Sequence, residues 1–490
     1  MSEAQEQLNT PRLELSEQRR ALQRSVTTDR RRNKRHELLA SKRMCPEEEE
    51  EEDPQEEETF TTEQARILAS RFQKGTPADR LCQLKILRRM MGMDISYINA
   101  FLSVNNSMKA LISQLTSSDA AVQVVASGCI VNISAGTSNH CDIALKSAAV
   151  YLVSFLDGQN SLLKDHCCCA LGNMAANGSK SQEILQQMGV LTPLVNIIMT
   201  SAYDVNLMQS ALFALANLLK NEKICLSFPS IDSEFITRLL HFSQSQMVTG
   251  VSSGIRLDVC RLLFHLSARQ DKHMVLLSAG VFTQLTVLLI EYVRDRPEDY
   301  IKIITPLIRC LGNLGCQYHD SVTMATQDGH LVASIFHLLQ TATLPFYLQK
   351  EVLWMISNLT ASSSVVSHQC IENNLHILLT QQLLSKPPDI QRESIICIHH
   401  LLSTSPYIVM VQLIDAGILP KISELLRRLE EPTLQCLNLL DSLLCQSPEV
   451  QRRLCEENNI ISLLDSLVMG DDDEVRMRAG QIKDTHWENW

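Results

Sequence analysis

The chain has 490 residues, 45% of them hydrophobic and 20% charged, with a formal net charge of −11. This composition supplies ample material for a helical core, and the acidic balance excludes a body that binds nucleic acid generally. The sixteen cysteines show no paired spacing, so we expect reduced thiols that fill helix interfaces in the cytosol or nucleus.

The first 43 residues are polar and basic, with 11 Lys and Arg against 6 Asp and Glu. They lack the apolar stretch of a secretory signal peptide. Residues 47–58 then hold 10 acidic residues out of 12. Charge blocks of this kind repel themselves, so we expect a disordered basic tail over 1–46 and an acidic disordered linker over 47–59. The tail is predicted to bind a partner; a solvated tail that only keeps the protein soluble is the alternative.

A pair of positions four residues apart recurs along the rest of the chain, with Asn at the second position in five of seven copies. The spacing of four places both side chains on one face of a helix. Successive second positions lie 41 to 49 residues apart, a period typical of helical solenoids. The seven copies, which we call frames, are Gly128/Asn132, Cys169/Asn173, Phe213/Asn217, Cys260/Phe264, Arg309/Asn313, Trp354/Asn358 and Ile396/His400.

Residues 60–490 are predicted to be all-α. Apolar residues return every three or four positions, and no alternating strand pattern interrupts them. Residues 471–490 have the polar, amphipathic character of a terminal cap. A Gly or Asn, which ends one helix and permits a sharp turn, precedes the final apolar helix of several repeats at Gly189, Gly280, Gly329, Gly417 and Asn459.

One apolar segment is long enough to cross a bilayer, because residues 394–414 carry no charged side chain over 21 positions. Several polar side chains lie inside it, however, and the sequence Ser403-Thr404-Ser405-Pro406 predicts a break between two helices. We therefore expect two buried helices here and no membrane span.

Trp354 and Asn358 suggest a peptide-binding surface. An indole can stack a long cationic side chain, and a neighbouring amide can bond a peptide backbone. The alternative is a packed Trp and an Asn that bonds a neighbouring carbonyl. The recurrence of Asn argues for a backbone clamp, because a buried amide is costly unless it finds partners.

No catalytic chemistry is predicted. The run His166-Cys167-Cys168-Cys169 has the residue types of a metal site, but consecutive helical side chains point about 100° apart and cannot converge on one ion. We expect these residues to pack in the core. No glycine-rich phosphate-binding motif is present. The sequence thus predicts no enzyme, no catalytic or metal-binding residue and no cofactor.

The frames resemble the armadillo repeats of the importin-α family, most closely over Lys350–Asn358. Residues 30–44 are similar to the basic helix of that family's importin-β-binding segment. The resemblance implies a right-handed superhelical armadillo solenoid of about ten repeats. It also implies an adaptor that binds importin-β through Arg30, Arg31, Arg32, Lys34, Arg35, Lys42 and Arg43.

In such adaptors a concave groove binds an extended basic peptide of a protein cargo destined for the nucleus. The resemblance implies that Asn side chains hold the peptide backbone and that aromatic side chains flank its Lys and Arg side chains. The groove residues it assigns here are Asn132, Asn173, Phe213, Asn217, Arg309, Asn313, Glu351, Trp354, Asn358 and Glu393.

Departures from the family pattern leave two functions open. Gly128, Cys169 and Phe213 stand where the family has Trp, and Asn177 replaces an acidic residue. Other departures are Ile396/His400 in the last frame and the shortened tail cluster Ser41-Lys42-Arg43.

The first function is a nuclear-import adaptor of cytoplasm and nucleus; the second is an armadillo scaffold or dedicated carrier for a single partner. In either case we expect a basic peptide to bind near Trp354 and Asn358 rather than near Asn132, Asn173 and Asn217.

Overall fold

The computed structural model describes residues 42–45, 60–200, 204–228, 232–243, 253–297, 300–316, 318–404, 406–428, 432–445 and 459–487. Within these ranges the chain consists of helices, turns and short connections and contains no strand, as the sequence predicts. The basic run at 30–35 and the linker at 47–59 lie outside the described residues, so the proposed tail and linker boundaries stay predictions.

The chain divides into two compact units, Met1–Phe228 and Pro229–Trp490. The helices described in the first unit are α1 Thr62–Lys74, α2 Pro77–Met93, α3 Ile95–Leu102, α4 Ser107–Leu115, α5 Ala120–Ala135, α6 Ser138–Phe155, α7 Ser161–Ala176, α8 Ser179–Gln187, α9 Leu191–Thr200, α10 Val205–Leu218 and α11 Glu222–Ser227.

The second unit is also built of short and long helices. Its described helices are α12 Ser233–Ser243, α13 Ser253–Ser267, a 3₁₀ turn Gln270–Lys272, α14 His273–Ser278, α15 Val281–Asp295, α16 Tyr300–Gly315, α17 His319–Thr326, α18 His330–Leu339, α19 Phe346–Ser362, α20 Ser364–Glu372, α21 Leu375–Gln382, α22 Pro388–Thr404, α23 Pro406–Asp415, α24 Ile418–Arg428, α25 Thr433–Leu444, α26 Ile460–Val468 and α27 Asp473–Trp487.

Helix starts are fixed by local side-chain chemistry. The hydroxyls of Thr61, Thr76 and Thr137 each accept a bond from the third helical N–H, and a side chain at that third position bonds back to the capping residue. The predicted turn residues have positive φ angles, which glycine adopts freely and Asn tolerates. They are Gly189, Gly280, Gly329, Gly417 and Asn459, joined by Asn106 and Asn374.

One set of helices packs in order within each unit, and we call its members the long helices, although α6 and α15 outside the set are of similar length. In the first unit α2, α5, α7 and α10 pack one against the next; in the second α13, α16, α19, α22 and α25 do so. Every one of the seven frames lies on one of these long helices, so the frames occupy equivalent positions in successive repeats.

Two frame aromatics rest on a glycine of the preceding long helix. A Cβ atom on Gly172 would approach Phe213 Cδ1 to 2.6 Å, and one on Gly312 would overlap the Trp354 ring. Any larger residue would push the ring away from the helix behind it. The recurring tripeptide Leu-Gly-Asn, at 171–173 and 311–313, is the sequence signal of this contact.

The segment 394–414 is broken as predicted, since α22 ends at Thr404 and α23 begins at Pro406. Across the described residues, no single helix is long and apolar enough to cross a membrane. One helix pair, Gln270–Ser278 with Val281–Asp295, passes that test by length and composition but is bent by 77°.

Candidate functional site

A short segment of the N-terminal tail lies against the long helices of the first unit. The Arg43 N–H donates to Asn173 Oδ1 (2.7 Å), and the Arg43 carbonyl accepts from Asn173 Nδ2 (2.7 Å). Two residues on, the Cys45 N–H donates to Asn132 Oδ1 (2.8 Å). Alternate residues of an extended chain face the same side, so two amides one repeat apart can hold this segment by its backbone. The segment runs antiparallel to the order of the repeats.

The two basic side chains of the segment find separate partners. The Arg43 guanidinium lies over the Phe213 ring, 4.3 Å from its centroid. Lys42 Nζ donates to the Gly136 carbonyl (2.9 Å). Burial lowers the pKa of the Lys42 ammonium, and the Cys141 and Asp142 side chains act in the opposite direction. We call Asn132, Asn173 and Phe213 the tail clamp.

Cys45 anchors the end of the segment in the core. Its side chain is 8% exposed, and its Sγ lies 3.3 Å from His166 Nε2. The other ring nitrogen of His166 lies 3.0 Å from Ser127 Oγ. Gly128 leaves the room for this contact, since a Cβ there would lie 3.2 Å from Cys45 Sγ. The Gly128 frame, which has no aromatic side chain, therefore accommodates the Cys45 thiol.

The frame Asn side chains have two roles at once. Asn Nδ2 donates to a carbonyl on the preceding long helix: Asn132 to Arg88 (2.9 Å), Asn173 to Val131 (3.3 Å), Asn217 to Gly172 (3.2 Å) and Asn358 to Gly312 (3.0 Å). At Asn132 and Asn173 the Oδ1 atom accepts a backbone N–H of the tail segment. Bonding to a neighbouring carbonyl and clamping of a peptide are thus compatible.

A second cleft lies in the second unit, with a volume of about 310 Å³. The Arg309 guanidinium bonds Glu351 Oε1 at 2.7 Å and lies 5.6 Å from the Phe264 ring centroid. In the part of the chain that the structure describes, Asn358 Oδ1 accepts no hydrogen bond. We call the following six lining residues the second cleft: Phe264, Arg309, Lys350, Glu351, Trp354 and Glu393.

The second cleft carries two basic and two acidic side chains, and Glu393 is the acid that is not bonded to Arg309. Burial raises the pKa of the Glu393 carboxyl; Lys350 and Arg392 lower it, whereas Asp389 and Glu351 raise it. A carboxyl whose ionisation is disfavoured by burial gains from an incoming ammonium or guanidinium group.

Comparisons with known proteins identify the family and the fold. The family model described as TMCO6 matches residues 65–466. The chain belongs to the TMCO6 family. It is also similar to importin subunit alpha-9 of Arabidopsis thaliana, with 24% identity over 436 residues, which is 84% of this chain and 80% of the relative. Importin subunit alpha-1b of Oryza sativa subsp. japonica is 24% identical over 237 residues, 48% of this chain and 41% of that protein.

The fold has a solved counterpart as well. The crystal structure of an engineered protein covers 86% of this chain and 98% of its own, with a TM-score of 0.72 and 17% identity. Together with the importin-α relatives, this makes the TMCO6-family chain a divergent, importin-α-like protein with an all-α armadillo solenoid.

The structure places the predicted site residues in three groups. Lys42 and Arg43, which the resemblance assigns to importin-β, belong to the tail segment that the tail clamp holds. The other predicted importin-β-binding residues lie outside the described residues: Arg30, Arg31, Arg32, Lys34 and Arg35. Asn132, Asn173 and Phe213 contact the tail. Arg309, Glu351, Trp354 and Glu393 line the second cleft, with Asn313 and Asn358 on the same long helices, and Asn217 bonds the Gly172 carbonyl.

Two departures from the family pattern have structural replacements. Asn177 stands where the family has an acid, and its Nδ2 donates to Asp142 Oδ1 (3.0 Å); Asp142 then supplies the negative charge near Lys42. In the last frame, His400 Nδ1 lies 2.9 Å from the Ser357 carbonyl, so the ring takes over the contact that Asn makes elsewhere.

Sequence reasoning missed the residues that hold Cys45. For the tail's own basic residues, the early repeats supply the contacts rather than Trp354 and Asn358. His166 was assigned to core packing with Cys167 and Cys168; those two thiols are fully buried, but His166 also contacts the tail. In the sequence, only Gly128 indicates the Cys45 contact, because a glycine in a frame leaves space for a side chain from another segment.

Replacing Asn173 tests the tail clamp in this TMCO6-family chain. Asn173→Ala removes both backbone bonds to Arg43, each worth about 1 kcal/mol. We expect the segment to detach more often and Cys45 to react with an alkylating reagent about tenfold faster or more, measured by mass spectrometry of the Cys45 peptide.

Asn358→Ala is the matched control, because it loses the same amide-to-carbonyl bond in a repeat that contacts no described tail residue. Equal Cys45 alkylation rates in both variants and the unmodified chain would contradict the tail clamp.

Proposed function

We propose that this chain is an importin-α-like adaptor for protein import into the nucleus. In this proposal the armadillo groove binds an extended basic peptide of a protein cargo, and the N-terminal basic segment binds importin-β. The observation that carries it is the pair of Asn amides holding Arg43 and Cys45 by their backbones, with an Arg side chain stacked on Phe213.

Backbone clamping explains why the groove accepts a peptide, and the side-chain contacts explain why that peptide is basic. Asn132 and Asn173 bond groups that every residue carries, so they confer no selectivity. Phe213 favours a cation by about 0.5–2 kcal/mol. The Gly136 carbonyl and the nearby Asp142 carboxylate favour an ammonium group at the next position.

The tail occupies a position that a cargo peptide would use, so cargo must displace it. Binding of importin-β to residues 19–43 would withdraw Lys42 and Arg43 from the tail clamp and free Asn132 and Asn173. Partner binding by the tail and cargo binding by the groove are then coupled through one short segment. A carrier that works this way exchanges between cytoplasm and nucleus, which is the location we propose.

A dedicated carrier or scaffold for one partner is the second candidate, and the Cys45 contacts favour it. Gly128 and His166 fit a small thiol where a family member with Trp would stack a lysine stem. A groove with this specificity selects a particular peptide rather than any basic nuclear localisation signal.

The tail experiment separates the two candidates. Replacing Arg31, Arg32, Lys34 and Arg35 with Ala removes charge-assisted bonds worth roughly 1.5–3 kcal/mol each when well formed. We expect the full chain to lose binding to purified importin-β at physiological salt, measured by pull-down and calorimetry.

A control variant removes the same charge from exposed positions of the body: Arg71, Lys74, Lys146 and Lys180. It should bind importin-β like the unmodified chain. Unchanged binding by the tail variant, or equal loss in both, would contradict the adaptor and leave the dedicated carrier.

The second cleft predicts a pH dependence. Burial raises the pKa of the Glu393 carboxyl. Above that raised pKa the side chain is a carboxylate, which attracts a lysine-rich peptide. This attraction is lost as the pH falls through the pKa. In the Asn173→Ala background, affinity for such a peptide should fall as the pH drops through the raised pKa of Glu393, with the fall beginning above the usual range of a Glu carboxyl. Glu393→Gln should bind more weakly at pH 7 and lose most of this dependence in calorimetry.

Glu372→Gln, an exposed carboxyl outside the cleft, is the control and should retain the full pH dependence. A Glu393→Gln variant with the same pH profile as the control would show that Glu393 does not face the bound peptide.

A further inference from the structure

Three side chains with metal-binding chemistry meet near the C-terminal end of the second unit. Asp441 lies in the last turn of α25, and Cys445 follows one turn later at the C-cap of that helix. His486 comes from the terminal helix α27, which packs on α25. One carboxylate oxygen, the thiol sulfur and one imidazole nitrogen all lie within 4.8 Å of one another.

The three donor atoms have nearly the separations of a tetrahedral site. His486 Nε2 lies 2.8 Å from Asp441 Oδ1 and 3.9 Å from Cys445 Sγ, and the thiol lies 4.0 Å from Asp441 Oδ1. Zinc bonds of about 2.0 Å to oxygen and nitrogen and about 2.3 Å to sulfur give donor separations of about 3.3 Å, 3.5 Å and 3.5 Å in the same order. Each edge thus needs to change by about half an ångström, which a rotation of the exposed Cys445 side chain and a small shift of the carboxylate can supply.

A neighbouring arginine holds the carboxylate in the required orientation. Arg478 Nη2 donates to Asp441 Oδ2 (2.7 Å), which leaves Oδ1 facing His486. Arg478 Nε is itself held by Asn438 Oδ1 (2.7 Å). Supporting bonds of this kind orient metal ligands in known sites. One carboxylate and one thiolate neutralise a divalent ion, and solvent screens the remaining guanidinium charge, because the Arg478 side chain is 29% exposed.

The thiol is the part of the cluster that structural packing does not explain. The Asp441 bonds to His486 and Arg478 join α27 to α25, whereas Cys445 makes only long contacts at 3.9 Å and 4.0 Å. Its sulfur nevertheless faces the same point as the other two donors.

We propose that Asp441, Cys445 and His486 bind a zinc-class transition-metal ion that joins the terminal helix to the preceding long helix. Thiolate and imidazole ligands select such an ion over magnesium or calcium. Three protein ligands leave one position for water or for a donor from another molecule. The site is independent of the tail clamp and of the second cleft.

Cobalt titration of the full chain, reduced and freed of metal, tests the site directly. Co²⁺ should produce a thiolate-to-metal charge-transfer band that saturates at one equivalent, together with the visible absorption of tetrahedral cobalt. Zn²⁺ should abolish both, raise the thermal unfolding midpoint and protect Cys445 from alkylation.

Two ligand variants and one control make the result specific. Cys445→Ala should remove the charge-transfer band. His486→Gln, whose amide can still donate to Asp441, should weaken cobalt binding by tenfold or more while the helix content by circular dichroism stays unchanged. The control Cys82→Ala/Cys316→Ala, which lacks two other exposed thiols, should bind like the unmodified chain. Absence of a saturable band, or its persistence in both ligand variants, would overturn the proposal.

Discussion

The bond from each frame Asn to the preceding long helix is the interaction on which the binding surface depends. At Asn132, Asn173, Asn217 and Asn358 the Nδ2 atom donates to a backbone carbonyl about one repeat earlier. This bond satisfies a buried polar group, links one repeat to the previous one and fixes the rotation of the amide. At Asn132 and Asn173 the Oδ1 atom also accepts a backbone N–H of the tail segment. At these two positions one side chain therefore links two repeats and holds the tail.

Aromatic walls follow a related rule, and their loss changes what the surface can select. Phe213 and Trp354 each lie on a glycine of the helix behind, which keeps the ring close to the repeat and leaves its outer face for a cation. Where the aromatic is absent, at Gly128, the chain's own Cys45 and His166 fill the space. At Gly128 the chain thus places a thiol and an imidazole where the Phe213 and Trp354 frames place an aromatic ring, while the Asn bonds to the tail backbone are present.

Much of the fold follows from local sequence. The period of the frames, the positive-φ Gly and Asn turns and the break after Thr404 are properties of neighbouring residues, so they could be predicted. The contacts of Lys42, Arg43 and Cys45 could not, because they join residues from 87 to 170 positions apart. The negative charge near Lys42 could not be predicted either, because it comes from Asp142 and no repeat pattern indicates that position.

The cluster of Asp441, Cys445 and His486 shows this limit most clearly. Adjacent His and Cys residues, such as His166 and Cys167, cannot converge on one ion from a single helix, so the sequence predicts no metal site. Ligands that converge in a solenoid come from equivalent helices of neighbouring repeats, 41 to 45 residues apart here. A search for His, Cys and Asp at the repeat period, rather than side by side, would have found them.

The central claim is that the tail segment and an incoming basic peptide compete for the tail clamp. The most direct measurement is calorimetry of a synthetic peptide of residues 38–48 with the full chain and with its Lys42→Ala/Arg43→Ala variant. Removing the tail's own side chains should free the clamp, so the variant should bind the peptide about tenfold tighter or more, and a further Asn173→Ala change should abolish the gain. Equal affinity for the unmodified chain and the variant, or a gain that survives Asn173→Ala, would contradict the account.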